Sequence, residues 1–325
     1  MEMIAVRIGT RGSPLARWQA GWVAERLKAL HPGLSVSLVE IKTLGDRDRN
    51  TPLAQIGGIG LFTKEIQRAL LDGLVDVAVH SLKDLPTQGP AALTLAAVPP
   101  REGLADALIA PRFQTLDALP DGATVGTGSL RRKAQLLFLR PGLNVVGVRG
   151  NVETRLRQAL DGRLDAVVLA EAGLRRLGLE GNVTERLGPP RFLPAVGQGA
   201  LGIECRTDDA ATRARLTPLD DPATRRAVLA ERQALAELEG GCMIPLGAWG
   251  RDAELGGLAL DVAVFDTEGR ERLVIAMTGP ANDPEGLGRR VAEALRGQGA
   301  ERLLGRSGPA TGTSDATGTG DPLGR

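Results

Sequence analysis

The chain has 325 residues, of which 42% are hydrophobic and 24% are charged, a composition typical of a soluble globular protein with two or three domains. Its net charge of +1 excludes a broad electrostatic attraction for nucleic acid or for an anionic membrane. Because only 2% of the residues are aromatic, a set of exposed rings for stacking single-stranded nucleic acid is not expected either. We therefore expect neither a nucleic-acid partner nor a membrane partner.

The sequence also lacks the segments that usually mark export. The N-terminus enters a strand-like run without the apolar stretch of a signal peptide, and no run reaches the roughly 18 apolar residues of a membrane span. Two cysteines, Cys205 and Cys242, are too few for a disulfide framework. These features predict a cytoplasmic protein whose thiols are not paired with each other.

Short apolar runs alternate with helix-like segments through about residue 200. The predicted strands are 4–8, 34–41, 75–79, 124–126, 144–148 and 165–169. The predicted helices are 14–30, 63–71, 129–139 and 151–160. This alternation is typical of a mostly parallel sheet covered by helices on both faces.

A weak internal repeat runs through this part of the chain. Residues 8–13 (IGTRGS) and 125–129 (VGTGS) both lead from a strand through a Gly/Thr/Ser turn into a helix. Residues 69–76 and 159–165 both end a helix at Asp-Gly and place an aspartate before an apolar strand. We interpret the repeat as two similar α/β lobes, with chance similarity of turn residues as the alternative.

A different pattern begins after residue 200. The pair Asp221-Pro222 is typical of a helix start, and this helix is predicted to run to residue 240. Strand-like runs at 258–265 and 272–277 and a helix near 285–296 complete a small α+β unit. The predicted organisation is a first lobe of residues 1–99 and 200–217, a second lobe of 100–199, an α+β domain of 218–306 and a disordered tail of 307–325.

Four polar clusters lie at the predicted carboxyl ends of strands, where open α/β sheets bind ligands. They are residues 10–13, 80–84, 127–132 and 149–155. A helix N-terminus with arginine and serine beside it attracts carboxylate or phosphate. Four such clusters favour a ligand with several anionic groups, while the absence of GxxxxGK[ST] and GxGxxG disfavours a nucleotide.

Asp84 follows Lys83 in a loop at the end of a predicted strand. One interpretation is an ordinary surface ion pair between these two side chains. The other is a carboxylate in a cleft that stabilises a developing positive charge and passes a proton to a leaving amine. The residues alone leave both interpretations open.

Cys242 lies in the segment EGGCMIP at the end of a predicted helix, so its thiol is expected on an accessible loop. It could be a nucleophile or an attachment point. Cys205 lies in an apolar run and is expected in the core. His31 and His80 are the two histidines, so neither a Cys–His hydrolase nor a metal site is expected, and His80 is interpreted as a satisfied strand-end histidine.

Eight stretches of the chain together resemble the porphobilinogen deaminase (hydroxymethylbilane synthase) family, over roughly residues 4–305. In chain order they are IGTRGSPLARWQA, GGIGLFTKEI, AVHSLKDLPT, VGTGSLRRKAQL, VRGNVETRLRQ, LAEAGLRRLGL, LPAVGQGALGIECR and LEGGCMIPLGA. The resemblance implies two lobes like those of type II periplasmic binding proteins, with mixed, mostly parallel sheets. It also implies a small C-terminal α+β domain that carries a cysteine on a loop.

The resemblance further implies roles for individual residues. Cys242 matches the cysteine that holds a dipyrromethane cofactor through a thioether, and Asp84 matches the catalytic aspartate. The residues that match those around the cofactor are Ser81, Lys83, Asp84, Thr127, Ser129, Arg131, Arg132 and Gln198. The residues that match contacts to substrate are Arg11, Ser13, Gln19, Arg149, Arg155 and Arg176.

The implied activity is that of a transferase. Members of the family condense four porphobilinogen molecules head to tail into hydroxymethylbilane and release four ammonia, in tetrapyrrole biosynthesis. Every ring carries an acetate and a propionate, so a cleft that holds the growing chain needs many cationic partners, and arginine supplies them in bidentate fashion. A monomer is expected. The alternative hypothesis is a non-catalytic two-lobe protein that binds an anionic small molecule.

One stretch departs from the family pattern. The glycine-rich segment usually carries two lysines, and this chain has Gln55 and Ile59 in their places. If that segment contacts carboxylates in the family, it has lost two positive charges here.

Overall fold

The structure, a computed structural model, describes residues 5–43, 63–238, 244–254 and 256–305. Within these ranges the strands are β1 (Ala5–Thr10), β2 (Ser35–Glu40), β3 (Val77–Ser81), β4 (Leu93–Ala97), β5 (Asp106–Ile109), β6 (Thr124–Gly126), β7 (Asn144–Val146), β8 (Ala166–Ala170), β9 (Glu185–Leu187), β10 (Leu201–Arg206), β11 (Leu246–Asp252), β12 (Leu258–Phe265) and β13 (Arg272–Gly279). The α-helices are α1 (Pro14–Leu30), α2 (Lys64–Leu71), α3 (Leu130–Leu139), α4 (Val152–Leu160), α5 (Glu171–Arg176), α6 (Ala210–Leu216), α7 (Pro222–Glu237), α8 (Pro284–Gly297) and α9 (Ala300–Leu303).

The first lobe is built on a five-stranded sheet of order β2-β1-β3-β10-β4. β1 is parallel to β2 and β3, while β10 is antiparallel to β3 and β4. Helix α1 covers this sheet because Ser13 caps its first turn, Pro14 takes its first position and apolar residues recur at helical spacing. The buried apolar residues of α1 are Ala20, Val23, Ala24 and Leu27.

The second lobe repeats the same plan with the order β7-β6-β8-β5-β9. β6 is parallel to β7 and β8, while β5 is antiparallel to β8 and β9. In each lobe the antiparallel strand is the first strand after the chain crosses over from the other lobe. This strand is β5 where the chain enters the second lobe and β10 where it returns to the first. The predicted pair of lobes with mixed, mostly parallel sheets is confirmed.

The internal repeat has a direct structural counterpart. Asp76 accepts a hydrogen bond from the N–H of Arg7 on the first strand of its lobe (2.9 Å), and Asp165 accepts one from the N–H of Thr124 in the same way (2.8 Å). Each aspartate therefore ties the strand that follows it to the neighbouring strand at the centre of its sheet.

The third unit is an antiparallel sheet of β11, β12 and β13, against which α7 and α8 pack. On α7 the fully buried carboxylate of Glu231 accepts two hydrogen bonds from Arg101 (2.8 and 3.2 Å). It also accepts the N–H groups of Gly197 (2.7 Å) and Gly250 (2.9 Å). Because Arg101 and Gly197 lie on the two crossings between the lobes, this one carboxylate joins both crossings to the third unit.

The predicted elements differ from the observed ones mainly at their ends and in several short strands. Strand 4–8 is shifted to Ala5–Thr10, strand 75–79 to Val77–Ser81, and helix α7 ends at Glu237 rather than near residue 240. The strands β4, β5, β9 and β11 and the short helices α5, α6 and α9 were not predicted. The first three strands are only three to five residues long, and short runs carry little periodic signal.

β11 was not predicted because it contains two glycines, which usually weaken a strand. Here both glycines are required by close packing. A Cβ on Gly247 would lie 2.7 Å from the Cβ of Leu193, and a Cβ on Gly250 would lie 2.6 Å from the carbonyl oxygen of Ala227. The boundaries of the predicted domains remain predictions, and the predicted tail at 307–325 lies outside the described residues.

Candidate active site between the lobes

The first predicted anion-binding turn joins β1 to α1. Ser13 caps the helix, and its Oγ accepts a hydrogen bond from the N–H of Ala16 (3.3 Å). Thr10 Oγ donates to the carbonyl of Ala16 (3.0 Å), which closes the turn, and Arg11 is half-buried within it. A Cβ on Gly12 would lie 2.2 Å from the exposed carboxylate of Glu40, which would have to move aside. The turn therefore holds Arg11 and Ser13 in a defined backbone at the end of β1.

The second turn carries the predicted catalytic aspartate. β3 ends at Ser81, whose Oγ accepts a hydrogen bond from Nε2 of the buried Gln19 (2.8 Å). A single 3₁₀ turn, Leu82–Asp84, follows, and the N–H of Leu82 donates to the carbonyl of Ala200 (3.0 Å). The turn is thus attached on one side to α1 and on the other to the crossing that returns from the second lobe.

Lys83 lies on this turn beside charges from the second lobe. Burial lowers the pKa of Lys83 to about 8, even though the charges of Asp84 and Asp106 raise it and those of Arg131 and Arg132 lower it further. Its amine is therefore a cation at neutral pH and loses its charge as the pH rises through about 8.

We expect this titration to be measurable directly, because the chain has only five lysines. In Cys242→Ser protein, which should lack the cofactor, the lysines would be dimethylated with ¹³C-formaldehyde and their methyl resonances followed against pH. Besides the resonance of the α-amino group, whose ordinary pKa is also near 8, one lysine resonance should titrate near pH 8. It should be missing from the Lys83→Arg variant, but present in Lys133→Arg. If the resonance lost in Lys83→Arg shifts only well above pH 9, burial of Lys83 does not control its charge.

The third turn, between β6 and α3, repeats the first. Ser129 caps α3, and its Oγ accepts from the N–H of Arg132 (3.4 Å), while its own N–H donates to Oγ1 of Thr127 (3.2 Å). Position 128 has no room for a side chain, because a Cβ there would lie 2.9 Å from the carbonyl oxygen of Val148. The two serine caps in the two lobes thus begin helices at equivalent strand ends.

Arg131 and Arg132 share one buried counter-ion, Asp106. Its carboxylate lies 2.7 Å from a guanidinium nitrogen of each arginine and also accepts a hydrogen bond from Nε2 of Gln198 (3.0 Å). Burial alone would raise the pKa of Asp106, but the two arginines lower it to about 2. Arg131 also donates to the carbonyl of Leu193 (2.6 Å), so the cluster is anchored to the return crossing.

Asp106→Asn should lower the free energy of unfolding by about 3–5 kcal/mol, because it leaves two buried guanidinium groups without their shared carboxylate. The contribution of the Asp106 carboxylate to the free energy of unfolding is complete above pH 3.8, the ordinary pKa of an aspartate. This contribution is lost as the pH falls towards about 2, the pKa of Asp106 in the folded protein. Urea unfolding followed by circular dichroism measures the change. Asp117→Asn is the matched control, since Asp117 pairs with Arg191 at the exposed surface and should matter little. Equal effects of the two variants would contradict the expectation.

Arg155 lies within electrostatic range of Asp84 and of three other arginines. Arg149 and Gly150 follow β7, and Asn151 caps α4 by accepting the N–H of Thr154 (2.8 Å). Arg155, in the first turns of α4, is largely buried, and its Nε has no hydrogen-bond partner among the described residues. Burial lowers the pKa of Arg155, and the charges of Arg132, Arg149 and Arg11 lower it further while Asp84 opposes them. Cations from both lobes and Asp84 therefore act on one another.

Arg176 at the end of α5 is a second buried cation. Its guanidinium donates to the carbonyl of Gly199 (2.7 Å) and lies 5.8 Å from the ring centre of Trp18 on the first lobe. Among the described residues no carboxylate lies within ion-pair distance of it, and the nearby Glu102 and Glu171 pair with Arg175 instead. Burial lowers its pKa to about 10, although the charge of Glu102 raises it.

The remaining predicted residues separate into two groups. Cys242, Gln55 and Ile59 lie outside the described residues. Cys205 is fully buried in β10, as predicted, and burial raises the pKa of its thiol to about 11. His80 is buried, as expected for a core histidine, with its Nε2 3.0 Å from a carboxylate oxygen of Glu204.

Two residues of this region were missed from the sequence. Asp106 stands in the apolar run 104–110, and an acid in such a run signals a buried charge that needs an arginine partner. Trp18 carries no comparable signal, because nothing local places it opposite Arg176. Among the residues that the structure describes, no helix has the length and apolarity needed to cross a membrane, and no cluster of three or more metal-binding side chains occurs.

Comparison with known proteins gives an unambiguous family. The model "Porphobilinogen deaminase, dipyromethane cofactor binding domain" matches residues 6–214, and "Porphobilinogen deaminase, C-terminal domain" matches residues 225–297. Among solved structures, the methionine binding protein MetQ covers 72% of this chain and 94% of its own, at 14% identity and a TM-score of 0.44.

Curated relatives match over nearly the whole chain. Porphobilinogen deaminase of Syntrophotalea carbinolica is 48% identical over 304 residues, which cover 94% of this chain and 96% of the relative. That of Desulforudis audaxviator is 50% identical over 301 residues, covering 93% and 97%. From its two family domains and these full-length relatives, the chain belongs to the porphobilinogen deaminase family.

Proposed function

We propose that the residues between the two lobes form the active site for porphobilinogen deamination. The family activity is the condensation of four porphobilinogen molecules into hydroxymethylbilane with release of four ammonia, on a dipyrromethane cofactor. The assignment of this chemistry to particular side chains is our proposal.

One observation carries the proposal: two largely buried arginines have no carboxylate partner among the described residues. Arg155 makes no ion pair there, and the one hydrogen bond of the Arg176 guanidinium is to a backbone carbonyl. A largely buried cation that no carboxylate contacts directly is costly unless a ligand supplies the negative charge, because the more distant charges of Asp84 and Glu102 offset only part of that cost. Arg131 and Arg132 differ in this respect, because Asp106 already neutralises part of their charge. Arg155 and Arg176 are therefore the groups we assign to substrate carboxylates, together with Arg11, Ser13, Gln19 and Arg149.

The same region fits a dipyrromethane. Besides carboxylates, such a group presents pyrrole N–H donors, and Oε1 of the fully buried Gln198 has no hydrogen-bond partner among the described residues. We propose that Ser81, Lys83, Thr127, Ser129, Arg131, Arg132 and Gln198 hold the group and that the Cys242 thiol attaches it. When bound, it supplies the unsubstituted ring carbon to which the first substrate is joined.

We assign the catalytic role to Asp84. As ammonia leaves porphobilinogen, the carbon–nitrogen bond breaks and positive charge develops on the substrate ring. A carboxylate stabilises that charge, and it accepts the proton released when the new carbon–carbon bond is complete. Lys83 and Arg155 act electrostatically on Asp84, so the carboxylate works inside an otherwise cationic cleft.

We further propose a monomer in the cytoplasm. A reducing compartment suits a protein whose Cys242 thiol must stay free for attachment. Light scattering of the purified protein checks the monomer, and cell fractionation checks the compartment.

The rival function is a two-lobe protein that binds an anionic small molecule without reaction. Denaturing mass spectrometry of protein from cells that make porphobilinogen distinguishes the two. An enzyme should carry extra mass equal to one dipyrromethane and should release ammonia from added porphobilinogen. A bare polypeptide mass together with no release of ammonia would favour the binding protein.

A further inference from the structure

Trp18 is one of three tryptophans in the chain, and 39% of its surface is exposed. Single exposed apolar side chains are common on protein surfaces, but this one lies beside residues of the candidate active site. Trp18 lies on α1, immediately before Gln19, whose amide holds Ser81 in the turn of the catalytic aspartate.

The exposed ring faces the second lobe. Leu15, one turn earlier on α1, lies 3.6 Å from the position of a Cβ on Gly173 of α5, so these two helices approach each other closely. Arg176 ends α5, and its guanidinium carbon is 5.8 Å from the Trp18 ring centre, within the range of a cation–π contact. The contact therefore joins the two lobes.

This contact restrains a side chain that is otherwise lightly held. A guanidinium has five N–H donors, and among the described residues that of Arg176 uses them for one hydrogen bond, to Gly199. The ring adds a second restraint without consuming any donor, so the remaining N–H groups stay available to a ligand. A planar aromatic face is well suited to this task because guanidinium groups stack on it.

We propose that Trp18 is a positioning residue for substrate: its ring holds the Arg176 guanidinium from across the cleft, in the orientation that receives a porphobilinogen carboxylate. The inference rests on the substrate-binding role proposed above for Arg176. It predicts that Trp18 affects substrate affinity and not the chemical step, and that it acts only while residue 176 carries a guanidinium.

The test uses cofactor-loaded enzyme with porphobilinogen. Trp18→Ala should raise KM by about threefold to thirtyfold, the range of a cation–π contact, with kcat changed by less than about twofold. Trp18→Phe keeps an aromatic face and should restore most of the affinity. In an Arg176→Gln background, Trp18→Ala should have almost no further effect on kcat/KM.

Trp22→Ala is the matched control, because Trp22 lies one turn further on α1 and has Arg26 5.3 Å from its ring, within the first lobe. Its KM should stay at the wild-type value. A readout independent of activity uses Trp22→Phe/Trp249→Phe protein, in which Trp18 is the sole tryptophan. Adding Arg176→Gln should uncover the ring and increase quenching of its fluorescence by acrylamide.

The outcomes separate the two proposals. If Arg176→Gln is impaired while Trp18→Ala has a wild-type KM, or if Trp18→Ala has the same effect in both backgrounds, the positioning role is wrong and the role of Arg176 stands. If Arg176→Gln itself has wild-type kinetics, the proposed substrate contact fails and this inference fails with it. Unchanged acrylamide quenching would show that the guanidinium does not cover the ring in solution.

Discussion

Cys242→Ser should give protein with the bare polypeptide mass and no formation of hydroxymethylbilane. A serine hydroxyl is a far weaker nucleophile than a thiolate, so the cofactor should not be attached, and without it no primer is available for the substrate. The mass is measured under denaturing conditions on protein from porphobilinogen-competent cells, and the product is assayed with added porphobilinogen.

Cys205→Ala is the control that the structure offers for this experiment. Cys205 is fully buried, and burial raises the pKa of its thiol to about 11, so it forms almost no thiolate at neutral pH. This variant should keep the extra mass and most of the activity. Extra mass that persists in Cys242→Ser, or disappears in Cys205→Ala, would show that the attachment residue has been misassigned.

Asp84→Ala should retain the cofactor and lower kcat by about 100-fold to 1000-fold, the effect expected on removing a group that stabilises transition-state charge and moves a proton. The loss should fall on kcat, because the arginines assigned to the substrate carboxylates remain in place. Single-turnover measurement of ammonia release from cofactor-loaded protein gives the rate of the chemical step.

Asp72→Ala separates a specific effect of Asp84 from a general effect of removing a carboxylate from the first lobe. Asp72 ends α2 and pairs with Arg68 at the exposed surface, so turnover should be unaffected. Asp84→Asn keeps the size of the side chain but not its charge, and it should be nearly as slow as Asp84→Ala. Near-normal turnover in Asp84→Asn would show that another group stabilises the developing charge.

The secondary structure of the lobes was largely predictable because its signals are local. Helix α1 occupies residues 14–30 as predicted, since its cap residue, its first proline and its apolar spacing all lie within the helix or next to it. The two aspartates at 76 and 165 also follow from the repeat, and both tie neighbouring strands in the same way. Short strands such as β5 and β9 were missed because three or four residues are too few to show an alternation of apolar and polar side chains.

The arginine-rich turns were predictable as anion-binding segments, but not their individual charge states. Arg131 and Arg132 follow a serine cap much as Arg11 precedes one, and nothing in their spacing distinguishes an arginine that has an internal counter-ion from one that lacks it. Asp106, which makes that distinction, is 25 residues from Arg131 and 26 from Arg132 in the chain, and its carboxylate meets their guanidinium groups only in the folded protein.

By itself, the order of residues determined the two repeated lobes, the capped turns at the strand ends and the family to which the chain belongs, because each depends on neighbours within a few residues or on whole motifs. Only the tertiary structure decided that Arg155 and Arg176 are largely buried without a carboxylate partner among the described residues, and that Trp18 faces Arg176 across the lobes. The reason is physical: the cost of a charge depends on how much water and how many opposite charges surround it, and both are set by segments that meet only when the chain has folded.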